Sequence, residues 1–144
     1  MKLKEYITED TKKKADLILI RGIPGSGKST YAKKHYKGYE NFEADQHFMK
    51  DGEYKFDFTK LKQAHQSCQT KTEQSLSLGK KVVVSNTFTT LKELKPYLEM
   101  AKKLKKEVQV IRMTTQFKNV HGVPEDKLEI MKKRFADFAG EVKV

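Results

Sequence analysis

Gly22-Ile23-Pro24-Gly25-Ser26-Gly27-Lys28-Ser29 is the stretch of this sequence with the most specific chemical content. It satisfies the spacing G-x-x-x-x-G-K-[ST]. Glycines at these positions permit unusual backbone angles and close approach, so successive N–H groups can turn toward phosphate oxygens. A helix starting at Lys28 adds the positive potential of its N-terminus. The Lys28 ammonium is expected to reach the β- and γ-phosphates of a nucleoside triphosphate, and the Ser29 hydroxyl to ligate Mg²⁺. Gly22 through Gly27, with Lys28, Ser29 and Thr30, form the expected nucleotide-binding set.

Transfer chemistry at such a site needs a base and an acceptor, and ligands gather at the carboxyl ends of parallel strands. The second predicted strand, Tyr39–Ala44, runs into Asp45. That carboxylate is positioned to face the γ-phosphate and accept a hydroxyl proton. The plainer reading is a helix cap or a surface carboxylate. The third predicted strand ends at Ser85-Asn86-Thr87. A motor ATPase would place an acidic metal partner there, and these positions hold none. That favours a small kinase in which Mg²⁺ is held by Ser29, the phosphates and waters.

A cation over the leaving phosphate is also required. Arginine is scarce, with Arg21, Arg112 and Arg134 the whole supply. Arg21 precedes the glycine loop and reads as structural or supporting. Arg134 ranks first as the catalytic cation, then Lys118 in the Thr114–Val123 loop, then Arg112. The plainer reading of Arg134 is a solvated helix face beside Lys132 and Lys133.

The elements that must position these groups alternate. Asp16–Ile20 is a short apolar run suited to a buried parallel strand. Lys28–Tyr36 is helical, and Tyr39–Ala44 is a second strand. Gln46–Asp57 is irregular. Phe58–Leu78 has helical spacing, a cap at Asp57 or Thr59 and a stop at Gly79. Lys81–Ser85 is a β-branched strand. Thr90 with Glu93 makes a capping box for an apolar stripe from Leu91 to Leu104, with a helix start or kink at Pro96. Val108–Met113 is the fourth strand, and Pro124 opens a helix over Glu125–Phe138. The expected fold is α/β, with a small, mostly parallel sheet of about four strands flanked by helices. Residues 1–16 read as a lysine-rich arm, 17–138 as the domain, and 139–144 as a tail.

Taken together, Arg21 through Thr30, Ala44-Asp45, Val84-Ser85-Asn86-Thr87-Phe88-Thr89, and Asn119-Val120-His121-Gly122-Val123-Pro124 with Met131 and Arg134 resemble the P-loop polynucleotide 5′-hydroxyl kinases. That family includes the kinase domain of the phage polynucleotide kinase and related AAA-ATPase-like P-loop kinases. The resemblance implies a P-loop NTPase fold of the nucleotide-kinase type. It implies transfer of the γ-phosphate of ATP, or another NTP, to a 5′-OH end of DNA or RNA. It also implies Mg²⁺, with Lys28 and Ser29 as phosphate and metal groups and Asp45 as general base. The acceptor-side candidates are Asn86, Thr87, His47, Lys118 and His121. This sequence departs from the phage enzyme there: Asn86 replaces an Asp, His47 or Phe48 replaces an Arg, and Lys118 and Arg134 remain where a lid Arg is absent.

Composition bounds the setting. The chain has 144 residues, 30 Lys+Arg against 19 Asp+Glu, and a net charge of +11. Such a surplus suits a polyanionic partner, or serves solubility. Eight Lys and two Glu fall between residues 80 and 106, a surplus of six. Lysines there lie off the apolar stripe and could track a phosphate backbone or simply be solvated. Phe42, Phe48, Tyr54, Phe56 and Phe58 cluster near Asp45, as core packing or as a stacking platform for bases. A single cysteine excludes a disulfide framework and a Cys-rich zinc site. No apolar run approaches the roughly 20 residues of a membrane span, and the N-terminus lacks the apolar stretch of a secretory signal. The expected setting is the cytoplasm, including that of a phage-infected host, with nucleic-acid 5′-OH ends as partner and no membrane. Two other classes stay open: a P-loop kinase for a nucleoside, sugar or antibiotic, and a non-catalytic NTP-binding module on nucleic acid.

Overall fold

The computed structural model describes residues 15–44, 46, 49–50, 52–54, 57–114 and 125–144. Strand β1 (Leu17–Arg21) is buried along its whole length. Its odd and even residues serve two cores. Leu17 and Leu19 pack with Leu76, Val82, Val84, Leu94, Tyr97 and Val110, whereas Ile18 and Ile20 pack with Ala32, Tyr36, Val83 and Ile111. A strand covered on both faces needs apolar residues at every position, which explains the unbroken run. Helix α1 (Lys28–His35) covers the second face, and α2 (Leu61–Ser77) and α3 (Leu91–Lys103) cover the first.

The other strands of the main sheet are β2 (Glu40–Phe42), β5 (Val82–Asn86), β6 (Val108–Arg112) and β7 (Val142–Lys143). Their order is β2-β5-β1-β6-β7, and every pairing is parallel. The sheet therefore has five strands rather than about four. The extra one lies in residues 139–144, read above as a tail: Val142 and Lys143 pair with Ile111 and Arg112. Two residues are too few to show strand periodicity, so only pairing reveals them. The same holds for β3 (Met49–Lys50) and β4 (Glu53–Tyr54), an antiparallel pair inside the segment expected to be irregular.

Local signals elsewhere hold closely. Asp57 Oδ1 accepts from the Thr59 N–H at 3.0 Å and starts a 3₁₀ turn, Phe58–Lys60, that leads into α2. Gly79, after α2, has φ +80, where a side chain is disfavoured. Glu93 Oε2 accepts from the Thr90 N–H at 3.3 Å at the start of α3. That helix continues through Pro96. Helix α4 spans Glu125–Arg134 and stops short of the expected Phe138.

At the carboxyl edge of the sheet, Arg21 stands beside Asn86 on one side and Arg112 on the other. Arg21 has no exposed surface. Its Nε and Nη2 donate to the Phe88 carbonyl at 3.0 and 2.8 Å, and Nη2 also reaches the Thr89 carbonyl at 3.3 Å. Nη1 pairs with Glu141 Oε1 at 2.9 Å. The ring of Phe135 lies 4.4 Å from the Arg21 guanidinium and 4.7 Å from that of Arg112. Burial pushes the Arg21 pKa down, and the hydrogen bond and charge of Glu141 oppose that.

Arg21→Met should destabilise the domain by about 3–5 kcal/mol, since it leaves the buried Glu141 carboxylate to the longer Arg112 contact at 3.4 Å and takes both Arg21 donors from the Phe88 carbonyl. Urea unfolding with an unchanged m-value measures this. Arg112→Met is expected to cost clearly less, because one of its partners, Asp137, is exposed.

Candidate active site

The loop between β1 and α1 carries the glycine motif. Gly25 and Gly27 have φ values of +82 and +88, in the left-handed region that glycine adopts at little cost. Gly22 is required for space instead. A Cβ there would lie 2.4 Å from Ser26 Oγ and 3.0 Å from the Met113 Cβ. The Gly22 N–H donates to the Thr87 carbonyl at 3.1 Å, which fastens the loop to the exit of β5. Lys28 Nζ folds back on the loop and donates to the carbonyls of Gly22 and Ile23 at 2.9 and 3.1 Å. Ser26 Oγ is buried with no hydrogen-bond partner among the described residues.

These features fit a phosphate cradle: a loop with glycines at three of its six positions, an ammonium at the loop and a helix start behind it. Pro24, Gly25, Gly27, Lys28, Ser29 and Thr30 line one wide cavity of about 1110 Å³. Ile23 is buried behind it. Among the described residues no group of three or more His, Cys, Asp or Glu could hold a metal by itself. A Mg²⁺ held largely by phosphates and waters needs no such cage.

The structure adds one residue that sequence reasoning missed. Glu43, just beyond β2, accepts a hydrogen bond from Ser29 Oγ at 2.5 Å and lines the cavity. Its signal is visible as Glu43-Ala44-Asp45 at the end of a predicted strand, whereas the motor-ATPase pattern points to an acid after the third strand. Asp45 itself lies outside the described residues, as do His47, Lys118 and His121. Ala44, its neighbour, lines the cavity, and the Ala44 N–H is held by Asn86 Oδ1 at 2.8 Å.

Asn86, an expected acceptor-side residue, lines the cavity, while its Oδ1 accepts from the Ala44 N–H and its Nδ2 donates inward to Cys68 Sγ at 3.7 Å. Burial pushes the Cys68 thiol up and does the same to the neighbouring Tyr97 hydroxyl. Thr87 also lines the cavity. Arg134, at the end of α4, is exposed and also lines it. Arg112 does not line it and pairs with Asp137 and Glu141. Phe58, Leu61 and His65 also line the cavity, and Phe58 is 76% exposed. Phe42, by contrast, packs against the core.

The match that decides the family is to AAA_33, described as an AAA domain, over residues 17–136. This chain belongs to that family. AAA_33 membership and the five-stranded parallel sheet give it a P-loop kinase-like α/β fold. It is 30% identical over 135 residues to human NEDD4-binding protein 2. That match covers 85% of this chain but 8% of the human protein, so the chain spans a small part of that relative. A gluconokinase from Sinorhizobium meliloti superposes with a TM-score of 0.59 at 17% identity, over 90% of this chain and 82% of that one. A chain of the Pnkp1/Rnl/Hen1 RNA repair complex superposes with a TM-score of 0.56 at 15% identity, over 83% of this chain and 46% of that one.

Asn86→Ala should cost about 1–3 kcal/mol, the price of an unpaired buried Ala44 N–H. It should also speed the reaction of Cys68 with a disulfide reagent, which native burial slows. Labelling kinetics at fixed pH test the second effect and chemical denaturation the first.

Proposed function

We propose that this AAA_33 domain is a Mg²⁺-dependent kinase that transfers the γ-phosphate of ATP, or another NTP, to a 5′-OH end of nucleic acid. One observation carries the reading. The phosphate loop and Arg134 open onto the same cavity, which is also lined by an exposed Phe58 with Leu61 and His65. The cavity, about 1110 Å³, lies at the upper end of the size typical of ligand pockets. The positive charge of the molecule suits a polyanion, and Lys92, Lys95, Lys102 and Lys103 of α3 are exposed. The structural likeness to a chain of an RNA repair complex is in keeping with a nucleic-acid acceptor.

In this reading Lys28 and the loop amides hold the β- and γ-phosphates, and Ser29 binds the metal. Mg²⁺, when bound, neutralises charge on the transferring phosphoryl. Asp45, next in sequence to the cavity wall, takes the proton of the attacking 5′-OH. Arg134 offsets charge building on the phosphoryl oxygens. The likeness to a gluconokinase favours a second reading, a small-molecule kinase with the same donor site and a different acceptor.

Labelled γ-phosphate is expected to pass to 5′-OH oligonucleotides and not to 5′-phosphorylated controls. Asp45→Asn should lower kcat by at least about 10²-fold. Labelling of a nucleoside or sugar with bare oligonucleotides would move the assignment to the second reading. Full activity in Asp45→Asn would remove the base.

A further inference from the structure

The residue after β5 that usually anchors the metal in P-loop NTPases is acidic. Here the strand ends in Asn86, a neutral amide whose oxygen accepts from the Ala44 N–H at 2.8 Å. A half-buried carboxylate stands instead on the neighbouring strand. Ser29 Oγ donates its hydrogen to Glu43 Oε1 at 2.5 Å, and both residues line the cavity. A hydroxyl has one proton and two lone pairs. Once the proton is spent on Glu43, Ser29 can act toward anything else only through its lone pairs. That makes it a partner for a cation and a poor one for a phosphate oxygen.

We propose that Glu43 is the metal-anchoring acid of this site. It fixes the Ser29 hydroxyl with its lone pairs available to a divalent cation and adds one negative charge beside it. The acid and the strand-end amide have in effect exchanged strands. Asn86 grips Ala44, the residue after Glu43, and so holds the carboxylate's own backbone at the sheet edge. Mg²⁺ is well served by one carboxylate with phosphates and waters. This inference rests on the nucleotide-site reading above, but not on the identity of the acceptor.

The test is Mn²⁺ binding to the full chain in the presence of ADP, followed by electron paramagnetic resonance, together with ADP affinity in EDTA. Glu43→Gln keeps the size and removes the charge. Its half-saturating Mn²⁺ concentration should rise about 10–100-fold, as for other groups that orient a metal ligand. Its ADP affinity in EDTA should stay within about twofold of the wild type, because the cradle does not use Glu43. The metal effect of Glu43→Gln should shrink to near nothing in a Ser29→Ala background, since the two act as one unit. Unchanged Mn²⁺ affinity in Glu43→Gln would overturn the proposal. So would an equal loss of ADP affinity with and without metal, which would make Glu43 a part of the cradle or the fold. If wild type fails to bind ADP at all, the phosphate site falls and this proposal with it. Oligonucleotides left unlabelled by a protein that shows the expected Mn²⁺ shift would leave Glu43 in place and reject only the acceptor.

Discussion

The buried guanidinium of Arg21 is the interaction on which the cavity wall depends. A fully buried charge is stable only when paired and fully hydrogen-bonded. Arg21 meets that demand by reaching three separate parts of the chain. Glu141 supplies the opposite charge, Phe88 and Thr89 supply carbonyls, and Phe135 supplies a ring face. Satisfying one side chain therefore ties the central strand, the turn after β5 and the C-terminal segment together. Phe88 shows the force of this constraint. It has φ +48, a left-handed conformation that costs a non-glycine residue about 1–2 kcal/mol. Two Arg21 nitrogens on its carbonyl offset that cost.

The same constraint divides the arginines. Arg112 lies beside Arg21 in register, and the like charges are tolerable because Glu141 sits against both. Two of the three arginines are thus held in the frame. Arg134 is the arginine that lines the cavity, at the end of a helix whose following residues are anchored by the Phe135 ring and by the Ala136 N–H on the Thr89 carbonyl. The frame that buries Arg21 is therefore also what brings Arg134 to the cavity.

Each strand end contributes a different function. β1 delivers the phosphate loop, β2 delivers Glu43 and Ala44, and β5 delivers Asn86 with the turn that Arg21 holds. Hydrogen bonds run between these ends: the Gly22 N–H to the Thr87 carbonyl, and the Ala44 N–H to the Asn86 side-chain oxygen. A shift in one strand end would move the others, so the site behaves as one mechanical unit.

Sequence alone determined the alternation of strands and helices, the glycine loop and its helix, and the cap at Thr90, and narrowed the cap before α2 to Asp57 or Thr59. These are local signals: periodicity, glycine spacing and side-chain caps act over a few residues. Tertiary structure alone decided the rest. The C-terminal strand carries no pattern of its own and exists because β6 offers it an edge. Asn86 lines the cavity, and only folding also sets its amide oxygen on a backbone N–H 42 positions away in the chain. Glu43 looked like one carboxylate among several until folding set it against Ser29. A polar side chain's partner depends on which strands become neighbours, and that is a property of the whole sheet rather than of any stretch of sequence.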